Sequence, residues 1–330
     1  MDHRIATIRS EHAHVAFDLD RGAELIHVGP DEQTNVLAYY DWESPLPVER
    51  SMPFGYDRQD WLSSYRGGWQ ELFPNAGLAC TIGRIPLPFH GEASIARWRL
   101  LDHTDTSITV SCPARLPLVV ERHVEVATDS PTIKITGTVR NESGLDVDYL
   151  WGHHPAYESP PGTHIDLPDG VTFDVGDNAD TATAHVAAGA TGPWPHATGP
   201  DGSKVDLSVV GDGPVARVIH LRGASWYAIR PPEGPGLAMA WDATTFPVIW
   251  MWQSIGGSGF PTYGRAQITA LEPNRTAPGD GLAAAIERGE ALRVGPHGEH
   301  HTWLTCTVLP PGAGRVTNVD GQGAVSYAAE

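Results

Sequence analysis

The sequence is short of basic residues, of cysteine, of long apolar runs and of helical periodicity, and each shortage excludes something. Lys plus Arg number 22 against 40 for Asp plus Glu, a net charge of −18. A surface this acidic repels polyanions, so neither a nucleic acid nor an anionic membrane is expected as a partner. A small anionic ligand is still allowed, because one local Arg overrides the global field. The three cysteines, Cys80, Cys112 and Cys306, are widely spaced and odd in number. They form no Cys-x-x-Cys pair, so no disulfide scaffold and no metal site is expected, and each reads as a small buried hydrophobe. No stretch approaches the roughly 18 apolar residues needed to span a bilayer. The first residues, MDHRIATIRSEHAHVAFDLD, carry charges every few positions and have no apolar signal core. A soluble, cytoplasmic protein is the expectation.

What the chain does have is short alternation. HVAFDLD, TSITVSC, LPLVVERHVEV, PTIKITGTVRN, ARVIHLRG, SWYAIRP, GLAMAWD, PVIWMWQ, AQITALEP and HTWLTCTVL each alternate or run apolar over strand length. The 36 Gly and 28 Pro supply turns between them, which predicts an all-β protein, a large antiparallel sandwich with few short helices. In PTIKITGTVRN, period two sends Ile133, Ile135 and Gly137 to one face and Lys134 and Thr136 to the other. The 330 residues exceed an average domain, but sandwiches often run this long as one unit. A single domain over 1–330 is expected, with 311–330 loosely held. Short helices are expected near Trp61–Tyr65 and over Gly279–Leu292, the latter with Asp280 as N-cap. Asp177–Gly202, poor in large apolar residues, reads as a long surface excursion.

Four stretches carry groups suited to chemistry. YRGGWQELFPNAG (Tyr65–Gly77) sets Arg66 before a Gly67-Gly68 turn, with Trp69, Glu71 and Asn75 after it. It is either a binding loop or an ordinary turn, and it lacks the GxGxxG pattern of a nucleotide site. PLPFHGEASIARW (Pro86–Trp98) places His90 before Gly91, which allows close approach of a ligand or of backbone. LWGHHPAYESP (Leu150–Pro160) ends a strand in two adjacent histidines, His153 and His154. Alternation lets only one imidazole face a given pocket, and Pro155 biases His154 toward extended backbone. In AQITALEPNRTAPGDG, Glu272 shares a face with Ile268 and Ala270, so it is desolvated unless a pocket opens there. Among the aromatics, Trp69 and Trp252 are the candidates for pocket walls, since aromatic faces pack on the C–H faces of sugars as well as in cores.

Taken in order, GGWQELFPNAG, FHGEAS…RW, the NES turn with GHHPAY, and ALEPN resemble the galactose mutarotase-like superfamily of aldose 1-epimerases. The first two segments are most similar to its hexose-6-phosphate epimerase branch. The resemblance spans Tyr65 to Asn274 and implies a large antiparallel supersandwich. It also implies roles. His154 would be the acid that protonates the ring oxygen, Glu272 the base that takes the anomeric proton, and His90 a partner near the ring oxygen. Arg66 would hold sugar hydroxyls or a phosphate, with Trp69, Asn75, His153 and Trp252 further substrate contacts. No cofactor is implied.

Two features depart from that pattern. Ala93 stands where the phosphate-specific branch has an Arg two residues after His-Gly, and Arg97 lies further on. A neutral or differently substituted sugar is therefore expected, handled by a monomer or homodimer. Other readings of the same sandwich stay open. One is a non-catalytic carbohydrate-binding module. Another is a lyase, or a hydrolase pairing Glu71 or Glu92 with Glu272 across the roughly 5–9.5 Å a glycosidase needs.

Overall fold

A computed structural model describes residues 4–40, 58–176 and 181–329. Among them lie a ten-stranded and an eight-stranded antiparallel sheet, packed face to face. All ten alternating segments read from the sequence are strands. The strand Leu118–Val126 shows why: Leu118, Val120, Val124 and Val126 are buried while Val119, Glu121, His123 and Glu125 face outward or stay partly exposed. Ile133, Ile135 and Gly137 are likewise buried, and Thr136 is exposed.

Six strands of the ten-stranded sheet carry the site. In chain order they are β1 (Trp69–Leu72), β2 (Gly152–Glu158), β3 (Thr172–Val175), β4 (Val215–Arg222), β5 (Val248–Ile255) and β6 (Gln267–Asn274). Across the sheet they lie in the order β1-β2-β6-β5-β4-β3. The inner face of this sheet packs on the other sheet through the main core. Its outer face holds a smaller cluster in which Trp61, Leu62 and Tyr65 meet Phe89, Ala156 and Ile268. Trp61 and Leu62 belong to helix α1 (Arg58–Ser64), which realises the helical turn expected near Trp61.

The second expected helix is shorter than its pattern: α2 spans Leu282–Arg288. Asp280 is not its cap, because Gly281 occupies that position and Asp280 is instead gripped by Arg288. Within the stretch expected to be loosely held, residues 311–329 are described and include a docked hairpin. Val316–Val319 and Val325–Tyr327 pair as a hairpin, Val316 and Val319 are buried against Trp226 and Leu309, and the Val316 N–H donates to Asp166 at 2.9 Å. Composition hid this, because two correctly spaced valines suffice to dock a hairpin rich in small residues. Of Asp177–Gly202, the first four residues lie outside the described ones. The rest is only partly a surface excursion, since Ala184, Val186 and Ala197 reach the core and Thr191–Pro193 extends the sheet beside β3. No helix among the described residues is long and apolar enough to cross a membrane.

Candidate active site

The antiparallel register of β2 and β6 sets Gly152 opposite Asn274 and Ala156 opposite Ala270. His154 and Glu272 are therefore direct cross-strand neighbours on the outer face. Their side chains meet with His154 Nε2 3.4 Å from Glu272 Oε1, and both are buried. Glu272 Oε2 is buried without a hydrogen-bond partner. Next along the strands, Ala156 and Ala270 are fully buried, and Ala156 packs in the outer cluster with Trp61, Tyr65 and Ile268.

The third group arrives from a loop. His90 sits at φ 61° and Gly91 at φ 73°. A Cβ on Gly91 would lie 2.3 Å from the Phe73 carbonyl oxygen, so only glycine lets this loop close onto the sheet. The Gly77 N–H donates to His90 Nδ1 at 3.1 Å, which leaves Nε2 carrying the ring proton. The ring centre of His90 lies 5.6 Å from that of His154. Trp61 of α1 packs over both, at 4.8 Å from His90 and 5.4 Å from His154.

These groups open on a cleft of ≈ 580 Å³ lined by His90, His154, Glu272, Trp61, Trp250 and Trp252. Arg58, His220 and Asp280 also reach it. Burial dominates its electrostatics. It pushes the Glu272 carboxyl well above the usual carboxylate range and lowers His154 to about 4. His90 is held well below its ordinary value by burial first, then by His154 and Arg58. Each group is thus driven toward its neutral form. A proton shared by the His154–Glu272 pair can sit on either partner at the same net charge.

Of the sequence candidates, the structure brings His90, His154, Glu272 and Trp252 together around the cleft. Four others lie elsewhere. His153 points to the inner face, where Trp69 Nε1 donates to its Nδ1 at 3.3 Å and Phe246 packs on it. Trp69 is fully buried in that same core. Arg66 does not line the cleft. Its carbonyl accepts from Tyr40 and its charge acts on Glu24 and Tyr39, because the Gly67-Gly68 turn packs against Ala38 and carries Arg66 that way.

Asn75 is a buried staple. Its Nδ2 donates to the Leu78 and Pro88 carbonyls, each at 2.9 Å, and its Oδ1 accepts from the Leu282 N–H at 2.7 Å. Asn75→Ala leaves the Leu78 carbonyl and the Leu282 N–H without their side-chain partner, while the Pro88 carbonyl still accepts from the Gly91 N–H at 3.0 Å. A loss of roughly 2–4 kcal/mol is expected in chemical denaturation. A loss below 0.5 kcal/mol would show that water replaces the staple.

Glu71 and Glu92, the partners a two-carboxylate hydrolysis would require, are also outside the cleft. Glu71 is buried between the sheets with Arg122, and Glu92 accepts from the Arg115 N–H at 2.6 Å. Ala93 is a core residue, and Arg97 pairs with Asp20 at 3.0 Å. Neither supplies an anion contact to the cleft.

Sequence reasoning passed over Arg58, Trp61, Trp250 and His220. For His220 a signal existed: in ARVIHLRG, Arg217, Ile219 and Leu221 are the buried alternating set, so Val218, His220 and Arg222 share the outer face.

No protein-family model and no curated protein matches the chain. Solved structures do match over nearly its whole length. A protein provisionally assigned as an aldose 1-epimerase from Escherichia coli K12 superimposes with a TM-score of 0.66 at 15% identity, covering 94% of this chain and 100% of that one. A galactose mutarotase-like protein from Lactobacillus casei gives 0.63 at 15% identity, over 92% and 99%. Another, from Clostridium acetobutylicum, gives 0.59 at 11% identity, over 94% and 96%. The fold is thus the galactose mutarotase-like β-sandwich. Identities this low establish the fold and leave the activity to be argued from the site.

Proposed function

We propose that this protein is an aldose 1-epimerase, interconverting the α and β anomers of a free hexose or related sugar. The observation that carries the reading is the buried His154–Glu272 pair, opposed across two strands at the mouth of a tryptophan-walled cleft and faced by His90.

Anomer exchange opens a hemiacetal, turns the C1–C2 bond and recloses the ring. With the pair as Glu272 carboxylate and His154 imidazolium, Glu272 takes the proton from O1 and His154 delivers one to O5. The C1–O5 bond breaks and C1 becomes an aldehyde. The pair is left as neutral acid and neutral imidazole, the forms burial favours. Reclosure runs the same transfers backward on the other face of the carbonyl. One proton circulates and the buried pocket never changes net charge, which suits a site of low dielectric. His90 Nε2–H donates to the ring oxygen region without itself titrating. Trp61, Trp250 and Trp252 offer aromatic faces to the C–H edges of the sugar. Ala93 in the core and Arg97 paired with Asp20 remove the phosphate contacts of the phosphate-specific pattern, which supports an unphosphorylated substrate, and leave Arg58 as the cation lining the cleft among the described residues.

Polarimetry or exchange NMR on a panel of aldoses tests the reading. Acceleration over buffer is expected for at least one, whereas saturable binding with no exchange would make the protein a carbohydrate-binding module. The pH profile adds a sharper check. The active pair holds one proton, so activity falls at low pH only when His154 takes a second. The acid limb of kcat/KM is expected near pH 4, the value to which burial lowers His154. An acid limb near 6.5, the ordinary imidazole value, would mean that His154 is not the group titrating.

A further inference from the structure

The register of the sheet continues the catalytic row beyond Glu272. Trp250 on β5 lies opposite Glu272, His220 on β4 opposite Trp250, and Asp174 on β3 opposite His220. His154, Glu272, Trp250 and His220 thus form one line across the outer face, and all four line the cleft. His220 is only 7% exposed. Its Nδ1 lies 2.9 Å from Asp174 Oδ1, and Arg222 holds the other oxygen of Asp174 at 3.3 Å.

We infer that His220, oriented by Asp174, is the specificity-determining subsite that reads a sugar hydroxyl on the far side of the ring from the anomeric carbon. The inference rests on the epimerase reading for its orientation, O1 at Glu272 and O5 at His154. A carboxylate accepts only, so the Nδ1 proton of His220 is directed to Asp174 and Nε2 is presented as the group available to a ligand. Glu272 and His220 stand two strands apart, about 10 Å at the usual strand spacing. Opposite hydroxyls of a pyranose, with a hydrogen bond at each end, fill a span of that order. Trp250 lies between the two and forms the floor beneath the ring. Its orientation is fixed by the Nε1–H donated to the Thr276 carbonyl at 2.7 Å. The ligand class at this subsite is a neutral secondary hydroxyl, at C3 or C4.

The test is a cycle between protein and substrate. For the wild type, KM is measured on a parent hexose that is exchanged and on its 3-deoxy and 4-deoxy analogues. One of the two deoxygenations is expected to raise KM about tenfold, the worth of one hydrogen bond in a desolvated site. In His220→Phe the parent itself shows that rise, and the same deoxygenation adds no further loss, with kcat little changed. Asp174→Leu, which frees the imidazole to turn, behaves like His220→Phe. Asp174→Asn keeps an acceptor for Nδ1–H and retains most of the affinity, a rescue that a merely structural cross-strand pair does not predict. Equal deoxygenation penalties in wild type and His220→Phe overturn the subsite while leaving the epimerase reading intact. If no aldose is exchanged, the same cycle is read as calorimetric Kd. A deoxygenation loss that vanishes in His220→Phe upholds the subsite without catalysis, and absence of any sugar binding overturns both readings.

Discussion

Replacing Glu272 with Gln lowers kcat for anomer exchange by about 10²–10⁴-fold, the usual range for a lost general base, and leaves KM within a few-fold. Gln keeps the size and polarity of the side chain, so the walls of the cleft and the contacts of the sugar persist. What it removes is the ability to hold the proton taken from O1. The effect therefore falls on the transition state and not on ground-state binding. Stability gives the control. Glu272 is buried at 2% exposure and forced toward its neutral form, so a neutral amide is expected to leave the melting temperature unchanged or raised. A variant that unfolds more easily and loses rate in proportion points to a structural glutamate. A variant that is folded, binds sugar and keeps more than a tenth of the wild-type kcat removes Glu272 from the mechanism. His154→Gln tests the other end of the same proton circuit. Because the two groups act as one unit, the double variant is expected to be little worse than either single one.

Much of this arrangement was legible before any coordinates, because strand alternation is a local rule. Ile268, Ala270 and Glu272 were assignable to one face by period two, and that face is where the cleft opens. The same rule allowed one pocket histidine of the adjacent pair, and the structure turns His154 outward and His153 into the core. What alternation cannot give is the partner of each strand. That His154 faces Glu272 follows from a β2–β6 pairing between residues more than a hundred positions apart, and that His220 extends the row follows from two further pairings. Arg66, Trp69 and Asn75 were misplaced for a related reason. A Gly-Gly turn beside Arg, Trp and Asn looks the same in sequence whether it faces a ligand or its own core. Only the contact of Gly67 with Ala38 and the three hydrogen bonds of Asn75 decide for the core.

A buried ion pair behind the cleft-bearing sheet is the least expected element. Arg122 occupies an inward slot of an otherwise apolar alternation between Val120 and Val124. It meets Glu71 at 3.3 Å, lies 5.0 Å from the centre of the Trp98 ring, and donates to the Ala23 carbonyl. Glu71 accepts from Trp151 Nε1 at 2.7 Å, and in the β1–β2 register it stands opposite His153. Removing one partner strands the other charge between two sheets, so Arg122→Met is expected to destabilise by about 3–5 kcal/mol. The sign with pH follows from Glu71. Burial already raises its pKa and Arg122 opposes the rise. Without Arg122 the folded-state pKa climbs further above the unfolded value, so the fold holds a proton there that the unfolded chain releases. Stability is retained below the unfolded carboxylate range and lost as pH rises through the folded pKa. The deficit of Arg122→Met in urea denaturation should therefore be larger at pH 8 than at pH 5. Adding Glu71→Gln removes the stranded charge, keeps an acceptor for the Trp151 Nε1–H and should restore most of the loss, since breaking a buried pair is costly chiefly through the uncompensated charge left behind. A deficit that ignores pH and is not relieved by the second substitution would assign the cost to lost packing over Trp98. If the paired variant is stable yet its anomer exchange is impaired, the ion pair also has a registry role. It ties β1 to the strand Leu118–Val126 of the facing sheet, while Glu71 also holds Trp151 just ahead of β2. A slip of one residue in the β1–β2 pairing would turn His154 into the core and take its imidazole out of the cleft.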